Sequence, residues 1–163
     1  MAQLLGEEFS RVSDEVYYSK ISILEISKGA IQVLKQIADS NSSKKVRICC
    51  HKSVQDNVHE MLLVIKRGVV FGAHKHLDKS ESFHVIEGRL NVHLFDEKGA
   101  LTKIIEMGDY QSDKCFFYRI DEPVFHTVVP ETEYVVYHEV TKGPFDPADS
   151  LIAKWDANAN SVG

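Results

Sequence analysis

The stretch Gly68-Val-Val-Phe-Gly-Ala-His74-Lys-His76-Leu-Asp-Lys-Ser-Glu81-Ser-Phe-His-Val-Ile-Glu-Gly88 decides the fold. Its second half carries Glu81, Phe83 and Val85 at alternate positions, and the run after the glycine repeats the pattern with Leu90, Val92 and Leu94. Strand side chains point alternately to opposite faces. An x-Gly turn at Glu87-Gly88 therefore predicts a two-residue hairpin in which Val85 faces Leu90, Phe83 faces Val92 and Glu81 faces Leu94. All of these except Glu81 are apolar, which makes the shared face the interior. A carboxylate turned into such an interior is costly unless a cation or hydrogen-bond donors meet it. Glu81 needs a partner.

The partner stands just upstream. His74 and His76, at i and i+2 of an extended segment, present both imidazoles on one side. Two imidazoles, a buried carboxylate and one further histidine form the mixed nitrogen and oxygen shell of one divalent transition metal, whether zinc, iron, manganese or nickel. By the same alternation His84 and His93 fall on the opposite face, which excludes them as ligands.

The spacing Gly68-x5-His74-x-His76-x4-Glu81-x6-Gly88 resembles the first motif of the cupin superfamily, which fixes all five residues at these separations. The resemblance implies a fourth ligand, a histidine, from a second motif, and His126 in Pro123-Val-Phe-His126-Thr-Val-Val-Pro130 is the match. That second motif departs from the family pattern. Asp121-Glu122-Pro123 stands where Pro-x-Gly is usual, and Pro130 stands where asparagine is. From Ile21 to Trp155 the chain resembles the WbuC-type cupin-fold metalloproteins. The similarity includes Val46-Arg47-Ile-Cys-Cys-His51, Phe117-Tyr118-Arg119-Ile120 and His138-Glu139-Val-Thr-Lys-Gly143-Pro-Phe-Asp-Pro147. It implies a bacterial, cytoplasmic, metal-binding protein of a kind found beside O-antigen polysaccharide genes, and no particular reaction.

The rest of the chain fits a mainly β fold of that kind, a jelly-roll barrel (double-stranded β-helix) with one N-terminal helix. Short β-type runs are expected at Val46–Cys50, Met61–Ile65, Val69–Phe71, Ser82–Ile86, Leu90–Phe95, Leu101–Glu106, Cys115–Ile120, Phe125–Val129 and Tyr134–Val140, with turn residues between them. Ile31, Leu34, Ile37 and Ala38 form a helical stripe between Ser27, a plausible N-cap, and Ser40. Val16–Tyr18 and Ile21–Leu24 read as short extended pieces. Residues 1–45 thus form an extended segment and capping helix, 46–142 the barrel, and 143–163 a C-terminal wrap with a loose tail. Gly143-Pro144-Phe145-Asp146-Pro147 cannot continue a central strand and should pass over the outside.

At 163 residues the chain suits one domain with its own core. A formal charge of −5 leaves no broad basic surface for a phosphate backbone, so the expected partner is a small, anionic molecule and not nucleic acid. No apolar run approaches the ~18 residues of a membrane span. A second copy of the chain, in a homodimer, is the other expected partner. Cys49, Cys50 and Cys115 form neither a disulfide framework nor a CxxC knuckle and read as small apolar side chains in a reducing compartment.

Arg47, Cys49 and His51 share one strand face, and His59, Met61, Leu63 and Ile65 share another. Either Arg47, His51 and His59 line a pocket above the metal, or they are an edge arginine and surface histidines. Pointing inward, Arg47 would hold a carboxylate or phosphate through two parallel hydrogen bonds. Tyr118, Tyr134 and Tyr137 offer hydroxyls to a ligand or pack the rim, while Lys75 and Lys79 are expected to point outward.

Two functions follow. One is a mononuclear metalloenzyme, an isomerase, lyase or oxygenase, acting on a small polar metabolite such as a sugar-nucleotide or polysaccharide precursor. Arg47 and His59 are then its catalytic-site residues and orient an anionic group. The other is a metal-dependent binding or regulatory module without turnover. A metal-free sugar epimerase fits less well, because it needs no complete ligand set.

Overall fold

The computed structural model describes residues 5–158. Twelve strands build two sheets. The first holds β1 (Phe9–Arg11), β2 (Val16–Ser19), β3 (Lys45–Cys49), β4 (Val58–Lys66), β11 (Tyr134–Lys142), β6 (Glu81–Glu87) and β9 (Phe117–Ile120), side by side in that order. The second holds β12 (Ser150–Ile152), β5 (His74–His76), β10 (Phe125–Pro130), β7 (Arg89–Phe95) and β8 (Leu101–Gly108). Every pairing is antiparallel except β2 with β3. The core lies between the sheets. Leu63, Phe83, Val85 and Val135 of the first pack with Leu90, Val92 and Val128 of the second.

Helix α1 (Lys28–Ser40) covers the outside of the first sheet. Ser27 caps it as the sequence predicts, its hydroxyl accepting from the Ala30 N–H at 3.3 Å. Leu34, Ile37 and Ala38 press onto Val46, Ile48, Leu62 and Val64. Strands β3 and β4 are thus buried on both faces, which accounts for the nearly unbroken apolar run at 61–65. Their other face, with Arg47, Cys49, Met61 and Leu63, turns to the inside of the sandwich.

The expected hairpin at Glu87-Gly88 does not form. Strands β6 and β7 lie in different sheets, and each is paired on both sides by other strands. Gly88, at φ +84°, is the corner where the chain crosses between layers. Its N–H donates to the Asp109 carboxylate at 3.1 Å, and its carbonyl accepts from the Asp109 N–H at 3.1 Å. The inward face survives this correction because alternation is a property of each strand, whatever its partner. Glu81, Phe83, Val85, Leu90 and Val92 are all buried.

Other expectations need smaller amendments. Val69–Phe71 and Ile21–Leu24 form no strand, and β1, β12 and a 3₁₀ turn at Pro147–Asp149 join the elements. The segment after Gly143 does not simply wrap the outside. Through β12 it pairs with β5, and Phe145, Pro147, Ser150 and Ile152 wall the interior cavity. Of the expected loose tail at 157–163, all but two residues lie outside the described part. Cys49 is buried and Cys50 half-buried, but Cys115 is exposed. No helix among the described residues is long and apolar enough to cross a membrane.

Candidate metal centre

Strand pairing brings the four sequence-predicted ligands together. His74 and His76 sit on β5, and His126 on β10 pairs directly with His74. Glu81 reaches them from the first edge of β6 across the sandwich. One donor atom from each of the four residues lies within 4.8 Å of all the others. His76 Nε2 stands 3.2 Å from Glu81 Oε2, and His126 Nε2 stands 3.4 Å from Glu81 Oε1. Donors held about 2.1 Å from a common ion are roughly 3.4 Å apart in a tetrahedron. These two separations already suit donors around one ion, and the other donor pairs lie within 4.8 Å.

Hydrogen bonds behind the rings fix their orientation. His74 Nδ1 bonds the Gly72 carbonyl, His126 Nδ1 the Val124 carbonyl and His76 Nδ1 the Ser150 hydroxyl, each at 3.0 Å. With Nδ1–H donating outward, each Nε2 presents a lone pair inward, the arrangement in which imidazoles hold metals. His126 Nε2 is buried with no hydrogen-bond partner, since its approach to Glu81 lacks hydrogen-bond alignment. An orphaned buried nitrogen, a carboxylate and two further ring nitrogens fit a borderline divalent ion. Tyr118 supports the carboxylate, its hydroxyl donating to Glu81 Oε1 at 3.4 Å.

Electrostatics follow from the packing. Burial pushes the Glu81 carboxyl up, but His126 and His76 outweigh it and hold the group well below the usual carboxylate range. Burial disfavours charge on His126 as well, yet Glu81 beside it raises that ring above its ordinary value. His74 is pushed down to about 4, first by burial and then by His126. His74 is thus already neutral near pH 7 and releases no proton when a metal arrives, whereas Glu81 shifts His126 toward its protonated form, so that protons compete with a metal there. Apparent metal affinity should fall as the pH drops from about 7 to about 5, with a slope of log K against pH below three, steepening only near about pH 4. A flat titration contradicts imidazole ligation, and a slope of three contradicts the neutral His74.

The cluster opens onto a cavity of about 460 Å³ between the sheets. Arg47, His51 and His59 line it. The Arg47 Nε is buried without a partner. His51 and His59 stack at 4.1 Å with nearly parallel rings, and His51 Nδ1 accepts from the Glu60 N–H at 3.2 Å. His59 Nε2 is buried and unpartnered. Gly143 allows the chain to pass this ring, since a Cβ there would fall 2.7 Å from it.

Two residues, Lys79 and Tyr134, stand differently from expectation. Lys79 does not point away but lines the cavity, its ammonium 5.7 Å from the Phe145 ring centre. Tyr134 is remote and donates to Asp39 at 2.7 Å, while Tyr137 is buried on the cavity wall. Glu139 is a cavity-lining side chain that sequence reasoning did not single out. It lines the cavity two residues from Tyr137 on β11, and burial followed by the charge of Glu81 pushes its carboxyl up to about 8. The signal was present, because Tyr137, Glu139 and Thr141 alternate with His138 and Val140. His84 and His93 lie off the site, against Phe116 and Phe95.

Residues 26–107, half of the chain, match the family described as a domain of unknown function, DUF6016. The chain belongs to that family. No curated protein matches it significantly. Solved structures similar to this DUF6016 member include protein SO0799 from Shewanella oneidensis, at 12% identity over 65% of this chain and 72% of that one, with a TM-score of 0.53. Oxalate decarboxylase from Bacillus subtilis is similar at 19% identity over 66% of this chain and 27% of that one, with a TM-score of 0.50. The capsular polysaccharide assembling protein CapF from Staphylococcus aureus is similar at 21% over 66% of this chain and 30% of that one, also at 0.50. The chain thus spans less than a third of the latter two. At these identities the likeness carries the fold alone, which is the cupin jelly roll.

Proposed function

We propose that this protein is a mononuclear metalloenzyme in which His74, His76, Glu81 and His126 hold one divalent transition metal and Arg47 and His59 bind a small anionic metabolite. The resemblance to WbuC-type proteins makes a polysaccharide precursor, in a bacterial cytoplasm, the setting of choice. One observation carries the reading. The donor cluster borders a cavity instead of being sealed by packing, and structural metal sites are closed whereas catalytic ones keep an open position. A bound ion would supply Lewis-acid chemistry to a ligand oxygen. Arg47 would hold the anionic end of the ligand, its unpartnered Nε gaining the acceptor it lacks. His59 would donate or accept through its unpartnered Nε2, and the apolar walls would exclude water.

The test is retention and turnover. Protein loaded with zinc, iron, manganese or nickel is offered phosphosugars and small carboxylates, and bound anions are read as a rise in Tm. Arg47→Lys should lessen that rise although charge is kept, because lysine lacks the planar two-donor fork. Equal shifts in both proteins would remove Arg47 from the site. Metal-dependent consumption of the retained compound, slowed by His59→Ala at unchanged metal content, identifies an enzyme. Retention with no consumption across the panel identifies a binding or regulatory module instead.

A further inference from the structure

The cavity holds one carboxylate that the donor cluster does not use. On the inner face of the first sheet, side chains stand in cross-strand rows fixed by the register. One row runs Cys49, Met61, Glu139, Phe83 and Tyr118. The row on one side contains Arg47, Leu63, Tyr137 and Val85, and the row on the other contains His59, Thr141 and Glu81. Arg47, Glu139 and Glu81 therefore occupy successive rows, about 7 Å apart along the strands. Thr141 pairs directly with Glu81, so Glu139 is its diagonal neighbour, within about 7–8 Å.

Glu139 has no hydrogen bond or ion pair among the described residues; Met61 and Phe83 pair with it directly, and Tyr137 and Thr141 flank it on its own strand. An apolar side chain would fill such a place at less cost. A carboxyl there suits a ligand that brings it a hydrogen-bonding group. A bare polyanion would set negative charge against it, whereas a hydroxyl can bond either of its protonation states. Size agrees with this class, since a cavity of about 460 Å³ has room for an acid of monosaccharide size.

Resting on the metal-site reading above, we propose that Arg47 and Glu139 together select a small hydroxy acid, with its carboxylate on Arg47, a hydroxyl on Glu139 and a further oxygen facing the donor cluster. Glu139 is then a specificity-determining residue, and the preferred ligands are hydroxylated acids over their deoxy counterparts.

Calorimetric titration of the zinc-loaded full chain with succinate, each malate enantiomer and tartrate tests this, because succinate and malate differ by one hydroxyl. At least one malate enantiomer should bind about tenfold more tightly than succinate, since a site built to bond a hydroxyl rejects the analogue lacking it. In Glu139→Ala the ratio should fall to about twofold or less with zinc content unchanged, which separates this contact from any reach of the hydroxyl to the metal. Glu139→Gln keeps a donor and an acceptor and should keep most of the preference. A native chain without preference, a ratio untouched by Glu139→Ala, or no binding of any of these acids would overturn the proposal. If Glu139→Ala does not fold, the native ratio and Glu139→Gln decide it. Failure of the native chain to hold zinc is a separate outcome that refutes the metal-site reading itself.

Discussion

Glu81→Ala is expected to lower metal affinity at least about a hundredfold, so that protein purified without added metal carries almost none. Groups that merely orient metal ligands cost about 10–100-fold when removed, and Glu81 is the only anionic donor in the cluster. Removing it also takes the bonded oxygen from His76 and the nearby negative charge from His126. His76→Ala and His126→Ala should act in the same direction. His84→Ala and His93→Ala should leave metal content near that of the native chain, because both rings stand on the opposite strand faces. Full metal in Glu81→Ala would refute the assignment. Loss in both control variants would show that the strand faces are reversed.

The second large effect concerns the corner that replaces the expected hairpin. Gly68 and Gly88 both adopt a left-handed φ, +88° and +84°. A Cβ on Gly68 meets nothing within 4 Å, but one on Gly88 would lie 2.3 Å from the Tyr134 carbonyl oxygen and 2.5 Å from the Thr132 hydroxyl. Gly68→Ala therefore pays only for backbone strain, about 1 kcal/mol, whereas Gly88→Ala adds a collision with strand β11 and should cost about 3 kcal/mol. In a domain of this size that difference lowers Tm by several degrees. Chemical denaturation of the two variants side by side measures it. Equal losses would mean that the crossing at Gly88 is not packed against β11.

The same corner shows where sequence reading stops. An x-Gly pair between two alternating runs carries the same local chemistry whether the chain turns back on itself or crosses to another layer. Only the non-local partners decide, and those are β11 and β9 for one strand, β10 and β8 for the other. The ligand positions were legible because they rest on alternation alone. An inward glutamate among Phe83, Val85 and Val92 demands compensation wherever the sheets lie, and His74 and His76 share a side in any extended segment. His126 needed the family resemblance, since nothing local in its strand separates a ligand from a buried core histidine.

Glu139 went unread for a different reason. Its alternation was visible, but β11 is flanked by β4 and β6, and only that position turns its inner face toward a cavity. The C-terminal segment was likewise opaque. Gly143 and Pro144 indicate that a strand ends, and say nothing of where the chain goes next. It returns to β5, where Ser150 meets His76 and Asp149 accepts from Leu77 and Asp78. The wall that closes the site is thus built by the last described turns of the chain.

The decisive measurement is metal analysis of the native chain, purified without added metal and then reconstituted, with X-ray absorption at the bound metal's edge. Close to one divalent ion per chain is expected, surrounded by three imidazole nitrogens and a carboxylate oxygen. Less than about a tenth of an equivalent after exposure to zinc, iron, manganese and nickel in turn, or a shell without imidazole, would contradict the assignment.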